Sequence, residues 1–257
     1  MSLHSPPLLP ESVRVENSFI PVDGVGEQTE RSIWKQGVTH WDEFEPGVVG
    51  GKRGDRIDQF ITEGRGPLDA ADVAYFDQQF PSSEQWRLYE TFDDRACFFD
   101  IETTGLDEHR NEVTTVSLHQ AGDTQTLVAG DDLTAGNLRA AFADADLLVT
   151  FNGKRFDVPF LEANFDVDLQ RPHLDLMYTA KQIGLSGGLK QVEEDIGIER
   201  DRPDISGRDA VRLWREHRAG RDGALETLIS YNREDTVNLQ TLADEVTTRL
   251  DRQVFVD

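Results

Sequence analysis

Apolar and polar residues follow two different rhythms, and the change falls near residue 90. Before it, the apolar spacing is that of helices. Gly24-Val25-Gly26 reads as a turn, residues 29–36 carry a helical pattern, and Gly37-Val38 ends it. Thr39 is placed to cap a further turn that sends Trp41 and Phe44 inward. Residues 47–56 are rich in glycine and read as a flexible loop whose Lys52, Arg53 and Arg56 either touch nucleic acid or are simply solvated. Residues 69–80 and 83–89 read as helices, with Trp86, Leu88 and Tyr89 offering apolar contact. The start, residues 1 to about 18, bears Pro and Ser and reads as loose.

From Arg95 the pattern becomes strands, then strands alternating with helices. Strands are expected over residues 95–103, 113–121, 125–129, 146–151 and 173–177. The fourth is a near-continuous apolar run and so belongs in the middle of a sheet. Helices are expected over 134–143, 157–165, 189–196, 208–218 and from 224 to about 250. That order implies an α/β fold with a mixed five-stranded sheet flanked by helices. The division is residues 1–90, mostly helical, and residues 91–257, holding the sheet. Gly24-Val25-Gly26 with the helical turns after it resembles a helix-hairpin-helix element. Its glycines either present backbone N–H groups to a phosphate or only make the turn.

Composition narrows the class. No apolar run approaches the ~18 residues of a membrane span. Residues 1–10 lack the basic and apolar regions of a secretory signal, so a cytoplasmic home is the expectation. Cys97 is the lone cysteine, sits in an apolar run, and reads as a small buried hydrophobe. Asp and Glu number 49 against 26 Lys and Arg, a net charge of −23, and only five of the basic residues are lysine. A dispersed acidic, lysine-poor surface resembles that of proteins from salt-loving archaea. Such a charge repels nucleic acid in dilute buffer. At ~1 M salt the screening length falls to about 3 Å, and local contacts decide instead.

The chemistry concentrates in three short stretches. In Phe98-Phe99-Asp100-Ile101-Glu102-Thr103-Thr104-Gly105-Leu106, Asp100 and Glu102 share one face of a strand. Like charges so close repel, and a divalent cation relieves the repulsion through hard oxygen ligands. Taken alone, the pair is equally an edge strand with two solvated acids. Phe151-Asn152-Gly153-Lys154-Arg155-Phe156-Asp157 places Asp157 at a helix start, where a lone Asp is usually a cap. Tyr231-Asn232-Arg233-Glu234-Asp235 sets Tyr231 and Asp235 one turn apart on one helical face.

In order and spacing these three stretches resemble the DEDD superfamily of 3′–5′ exonucleases, over about residues 95–245. Ser230 stands where one branch carries His, and Tyr231 marks the tyrosine branch. Phe151 to Leu161, His173-Leu174-Asp175-Leu176, Gly197-Ile198-Glu199-Arg200 and Asn232-Arg233-x-Asp235 are similar to the YprB-like stand-alone group, as is the N-terminal Gly-x-Gly and Trp pattern. The resemblance implies an RNase H-like fold and a two-metal hydrolase releasing nucleoside monophosphates from single-stranded 3′ ends of DNA or RNA. Asp100, Glu102, Asp157 and Asp235 would hold two Mg²⁺ or Mn²⁺ ions about 4 Å apart, with Asp100 bridging. Tyr231 would orient the attacking water. Thr103, Thr104 and Leu106 would meet the terminal nucleotide, and Asn152 with Lys154 or Arg155 the phosphates. For these contacts a structural role is the alternative. A non-catalytic nucleic-acid-binding module and a structure-specific endonuclease are the rival functions on the same fold. His173 and Asp175 read as structural rather than metal-binding, and Leu213 and Trp214 as core. The oligomeric state is not fixed by sequence.

Overall fold

The computed structural model describes residues 13–256. Among them, the chain up to Asp93, rejoined from Thr247 onward, forms one compact unit, and Asp94–Val246 forms another. The sequence reading assigns everything after residue 90 to the second. In the structure the last turns of the C-terminal helix group with the first. No helix among the described residues is long and apolar enough to cross a membrane.

The first unit holds α1 (Glu27–Lys35), α2 (Gly51–Asp69), α3 (Val73–Gln79) and α4 (Arg87–Phe92). Its centre is aromatic: Trp41 meets Phe60 edge-on with centroids 5.4 Å apart, and Phe76 stacks on Phe92 at 5.9 Å. Arg87 is fully buried there, paired with Glu30 at 2.9 Å and Glu84 at 2.8 Å.

Three sequence expectations fail in this unit. Residues 13–18 are not loose, because Val13, Val15 and Ser18 are buried and Val13 N–H donates to Asp251 Oδ1 at 2.9 Å. Residues 1–12 lie outside the described residues. The glycine-rich stretch is not a flexible loop: a 3₁₀ turn, Pro46–Val48, leads into α2 at Gly51. Its glycines serve packing, since a Cβ on Gly54 would run into the Pro46 carbonyl. Gly24, at φ 83°, makes the expected turn into α1, but the described segment before it holds only a 3₁₀ turn, Val15–Asn17. The helix-hairpin-helix likeness therefore does not extend to two helices joined by that hairpin.

The second unit is an RNase H-like α/β fold on a mixed sheet. Its strands are β1 (Ala96–Thr103), β2 (Val113–Gln120), β3 (Asp123–Val128), β4 (Leu147–Thr150) and β5 (His173–Asp175), in the order β3-β2-β1-β4-β5. β2 runs antiparallel to β1 and β3, whereas β4 runs parallel to β1 and β5. The helices are α5 (Ala135–Ala141), α6 (Asp157–Asn164), α7 (Leu176–Gln182), α8 (Leu189–Ile196), α9 (Gly207–Arg218) and α10 (Ala224–Val256). Sequence reading extends the fifth strand through Met177. The strand stops at Asp175 because that side chain accepts from Met177 N–H and starts α7.

Strand alternation sorts β1 into two faces. Cys97, Phe99 and Ile101 enter a core with Leu138, Phe142, Phe160 and Leu161, where Phe99 meets Phe142 edge-on at 5.1 Å. Burial pushes the Cys97 thiol up to about 12, so it stays protonated and inert. Leu213 and Trp214 pack with Val128, Leu228 and Tyr231 in a second core, as expected of them. The glycine packing gives a direct test. Gly54→Ala should cost about 2 kcal/mol or more through overpacking. Gly136→Ala in α5, where nearby space is open, should change stability by less than about 1 kcal/mol. Urea denaturation of the two variants measures the difference; equal midpoints would mean that α2 is not locked against Pro46.

Candidate active site

The other face of β1 carries Asp100 and Glu102. Strand β1 ends in a register irregularity against β2 between Glu102 and Thr103, which re-aims the chain just past the two acids. Helix α10 brings Asp235 to them. One carboxylate oxygen from each of Asp100, Glu102 and Asp235 lies within 4.8 Å of the others. Asp157, first residue of α6, accepts from Ile101 N–H at 3.2 Å, which ties it to β1 between the two acids. Glu102, Asp157 and Asp235 are buried. Three acids thus converge from β1 and α10, and Asp157 of α6 is tied to the same strand between Asp100 and Glu102.

The turn that delivers Asp157 is held from behind. Asn152 sits at φ 66°, and a Cβ on Gly153 would collide with the Thr150 side chain. Asp175 accepts from Asn152 N–H at 2.7 Å and Lys154 N–H at 3.2 Å. His173 Nε2 shares a 2.8 Å hydrogen bond with Thr150 Oγ1, which also accepts from Gly153 N–H at 3.1 Å. Burial, with Lys154 nearby, takes His173 down to about 3, so the ring is neutral. His173 and Asp175 are therefore scaffold for the turn.

Electrostatically the site is under strain. Burial, opposed by the Asn232 hydrogen bond and the Arg200 charge, raises Asp100 to about 7. Burial raises Glu102 and Asp157 well above the carboxylate range, and the neighbouring acids add to it. Asn232 Nδ2 donates to Asp100 Oδ2 at 2.7 Å, and Arg200 pairs with Asp235. A buried set of hard oxygen donors with so little positive charge fits a hard divalent cation such as Mg²⁺ or Mn²⁺. Tyr231 is buried with its ring 5.2 Å from Lys190 Nζ and 5.7 Å from Arg200 Cζ. Burial and the charges of Glu102 and Asp100 raise its hydroxyl, which therefore stays protonated and able to donate.

The remaining sequence candidates are less uniform. Leu106 is 86% exposed. With Glu102, Thr103, Phe156, Arg208 and Val211 it lines a cleft of about 730 Å³. Thr103 Oγ1 donates to Gly105 O at 2.5 Å. Thr104 N–H donates to Glu112 O at 2.9 Å, and its hydroxyl accepts from Glu112 N–H at 3.0 Å. These bonds commit the Thr104 amide to closing the 104–112 loop, so it is not free to receive a phosphate. The Asn152 backbone N–H likewise donates to Asp175, so any contact to a phosphate falls to its side chain. Arg155 lies over the Tyr178 ring at 5.7 Å. Sequence reading assigned no role to Asn232, Arg200, Lys190 or Glu193. Asn232 and Arg200 fall inside motifs that it quoted, but their pairing with the acids is a matter of tertiary structure.

The family pattern of RNase_H_2, in the RNase_H superfamily, matches residues 97–247, and the chain belongs to that superfamily. No curated protein matches the chain. Among solved structures it is similar to the family B DNA polymerase from the hyperthermophilic archaeon Pyrobaculum calidifontis, at 19% identity and TM-score 0.51. The match covers 61% of this chain and 25% of the polymerase, so the chain spans a quarter of that protein's length. It is also similar to Brucella melitensis NrnC bound to pGG, at 20% identity and TM-score 0.48, covering 64% of this chain and 78% of that one. A third likeness, at 12% identity and TM-score 0.45, is to the catalytic core of RRP6 from Trypanosoma brucei, covering 64% of this chain and 44% of that one.

The raised carboxyl groups fix a sign for pH dependence. An Asp raised in the folded state above its unfolded value of about 3.9 holds its proton longer folded than unfolded. Stability therefore falls as pH rises from about 4 through about 7, the value reached by Asp100. In chelator-treated protein the melting temperature should drop across this window. Added Mn²⁺ should restore it at pH 7.5 and do little at pH 5. A melting temperature independent of both pH and Mn²⁺ would contradict this account of the acidic cluster.

Proposed function

We propose that this chain is a divalent-metal-dependent 3′–5′ exonuclease of the DEDD superfamily, tyrosine branch, in the YprB-like stand-alone group. Its substrate is a single-stranded end of DNA or RNA, and its product a nucleoside monophosphate. The observation that supports this most is the convergence of Asp100, Glu102 and Asp235, with Asp157 tied to the same strand and Tyr231 one turn from Asp235.

Asp100, Glu102, Asp157 and Asp235 would hold the cations. Bound Mg²⁺ or Mn²⁺ supplies Lewis-acid charge for the departing 3′ oxygen and eases deprotonation of the attacking water. Tyr231 donates a hydrogen bond that orients that water; with its hydroxyl raised it acts by position and not as a base. Asn232 fixes the rotamer of Asp100. The cleft beside Glu102 takes the terminal nucleoside, with Leu106 and Phe156 against the base. Thr103, the Asn152 side chain, Lys154 and Arg155 remain the candidates for sugar and phosphate. The acidic, lysine-poor composition suits work at high salt, as in a haloarchaeal cytoplasm.

Asp100→Ala should lower turnover by at least about a thousandfold with the fold retained. Tyr231→Phe should lower kcat by about a hundredfold and leave Mn²⁺ binding intact. The assay is release of label from 3′-labelled single-stranded DNA and RNA in high KCl with Mn²⁺. Cleavage of an oligonucleotide whose ends are blocked would favour the endonuclease, and full activity of Asp100→Ala would remove the site altogether. Activity highest in dilute buffer would undo the inference of a high-salt protein.

A further inference from the structure

Arg200 occupies a position that the exonuclease reading does not use. Its side chain is 5% exposed, and Nη1 lies 2.7 Å from Oε2 of the fully buried Glu193. Nη2 is in ion-pair contact with Asp235 Oδ1, and Nε lies 3.8 Å from Glu234 Oε2. One guanidinium therefore links a carboxylate outside the acidic centre to a carboxylate within it.

The two ends of this link are not equivalent. Glu193 is anchored, because its Oε1 also accepts from Asn238 Nδ2 at 3.0 Å. At the other end, Arg200 Nη2 and Asp235 Oδ1 are each other's buried partner, and Arg200 Nε reaches Glu234 Oε2 only at 3.8 Å. A buried guanidinium N–H held 3.8 Å from its carboxylate is poorly satisfied and gains from a closer acceptor. A guanidinium is a rigid fork of N–H donors that matches the paired oxygens of a phosphate. A divalent cation taken up by Asp235 would also stand against a like charge at contact distance. The arm must then move, and Glu193 is the pivot that keeps it in the site.

Resting on the exonuclease reading of the acidic centre, we propose that Arg200 is the counter-charge of Asp235 in the metal-free protein. When cations load, it swings about Glu193 onto the phosphate of the nucleic acid, and its freed N–H groups bind the non-bridging oxygens. Cation and nucleic acid then promote each other's binding, because each favours the arm position that the other needs.

The test compares wild type with Arg200→Gln in two titrations. The first is calorimetric titration with Mn²⁺ and no nucleic acid. The second is fluorescence anisotropy of a labelled single-stranded oligonucleotide in Ca²⁺. Removing the competing charge should tighten Mn²⁺ about tenfold, and removing the phosphate ligand should weaken the oligonucleotide about tenfold. Arg200→Lys should fall between in both. A purely structural arginine would weaken both ligands on removal. Mn²⁺ affinity that is unchanged or lower in Arg200→Gln overturns the proposal, as does unchanged oligonucleotide affinity. If the single variant does not fold, Glu193→Gln combined with Arg200→Gln removes the carboxylate left behind, and the same gain in Mn²⁺ affinity is expected. Wild type that takes up no Mn²⁺ at all is a different result, which overturns the exonuclease reading itself.

Discussion

Repulsion among carboxylates that cannot move apart shapes the second unit. Asp100, Glu102, Asp157 and Asp235 come from one strand and two helices. The charge of Asp100 adds to the cost that burial puts on Glu102 and Asp157, and the charge of Asp157 adds to that on Glu102. An arrangement of this kind survives folding only if the surrounding structure is stiff enough to impose it. β1 supplies that stiffness. It is flanked by partners on both edges, and its opposite face is locked by Phe99 and Ile101 into an aromatic and aliphatic core. The hydrophobic face of a strand thereby holds an unfavourable polar face in place.

A second layer of support lies under the turn from β4 to α6. Thr150, His173 and Asp175 form a small buried network whose acceptors collect the backbone N–H groups of Asn152, Gly153 and Lys154. The network orients Asp157 without touching the acids. It also explains a strand of three residues: β5 is only as long as needed to present His173 and Asp175 to that turn. The precision of the acidic centre thus depends on side chains outside it, one of which, Asp175, also adds to the electrostatic cost of Asp157.

Much of this was legible in the sequence. All five strands, and most helices after residue 90, follow from periodicity, because each sheet strand and each amphipathic helix buries one regular face. Motif order pointed to Asp100, Glu102 and Asp235, which the structure brings together, because it links distant stretches as no local pattern can. Three kinds of feature escaped. The 47–56 stretch was misread because glycine content signals freedom of the chain, whereas Gly54 is small for the sake of Pro46. Helix α7 was missed because Asp175 serves two neighbouring elements, receiving amides from the β4–α6 turn and from its own helix. Arg200 and Asn232 lay inside family-like motifs and Glu193 in none, but their roles beside the acids depend on partners distant in sequence.

Leu106 stands apart from its surroundings: a bare aliphatic side chain on a strongly acidic molecule, at the lip of the cleft beside Glu102. Grip on a polyanion through ionic contacts fades steeply as salt rises, since released counterions lose their entropic advantage. Dispersion and desolvation suffer no such loss. On the proposed exonuclease reading, an exposed leucine set against the flat face of a nucleobase would be a handhold whose strength survives brine.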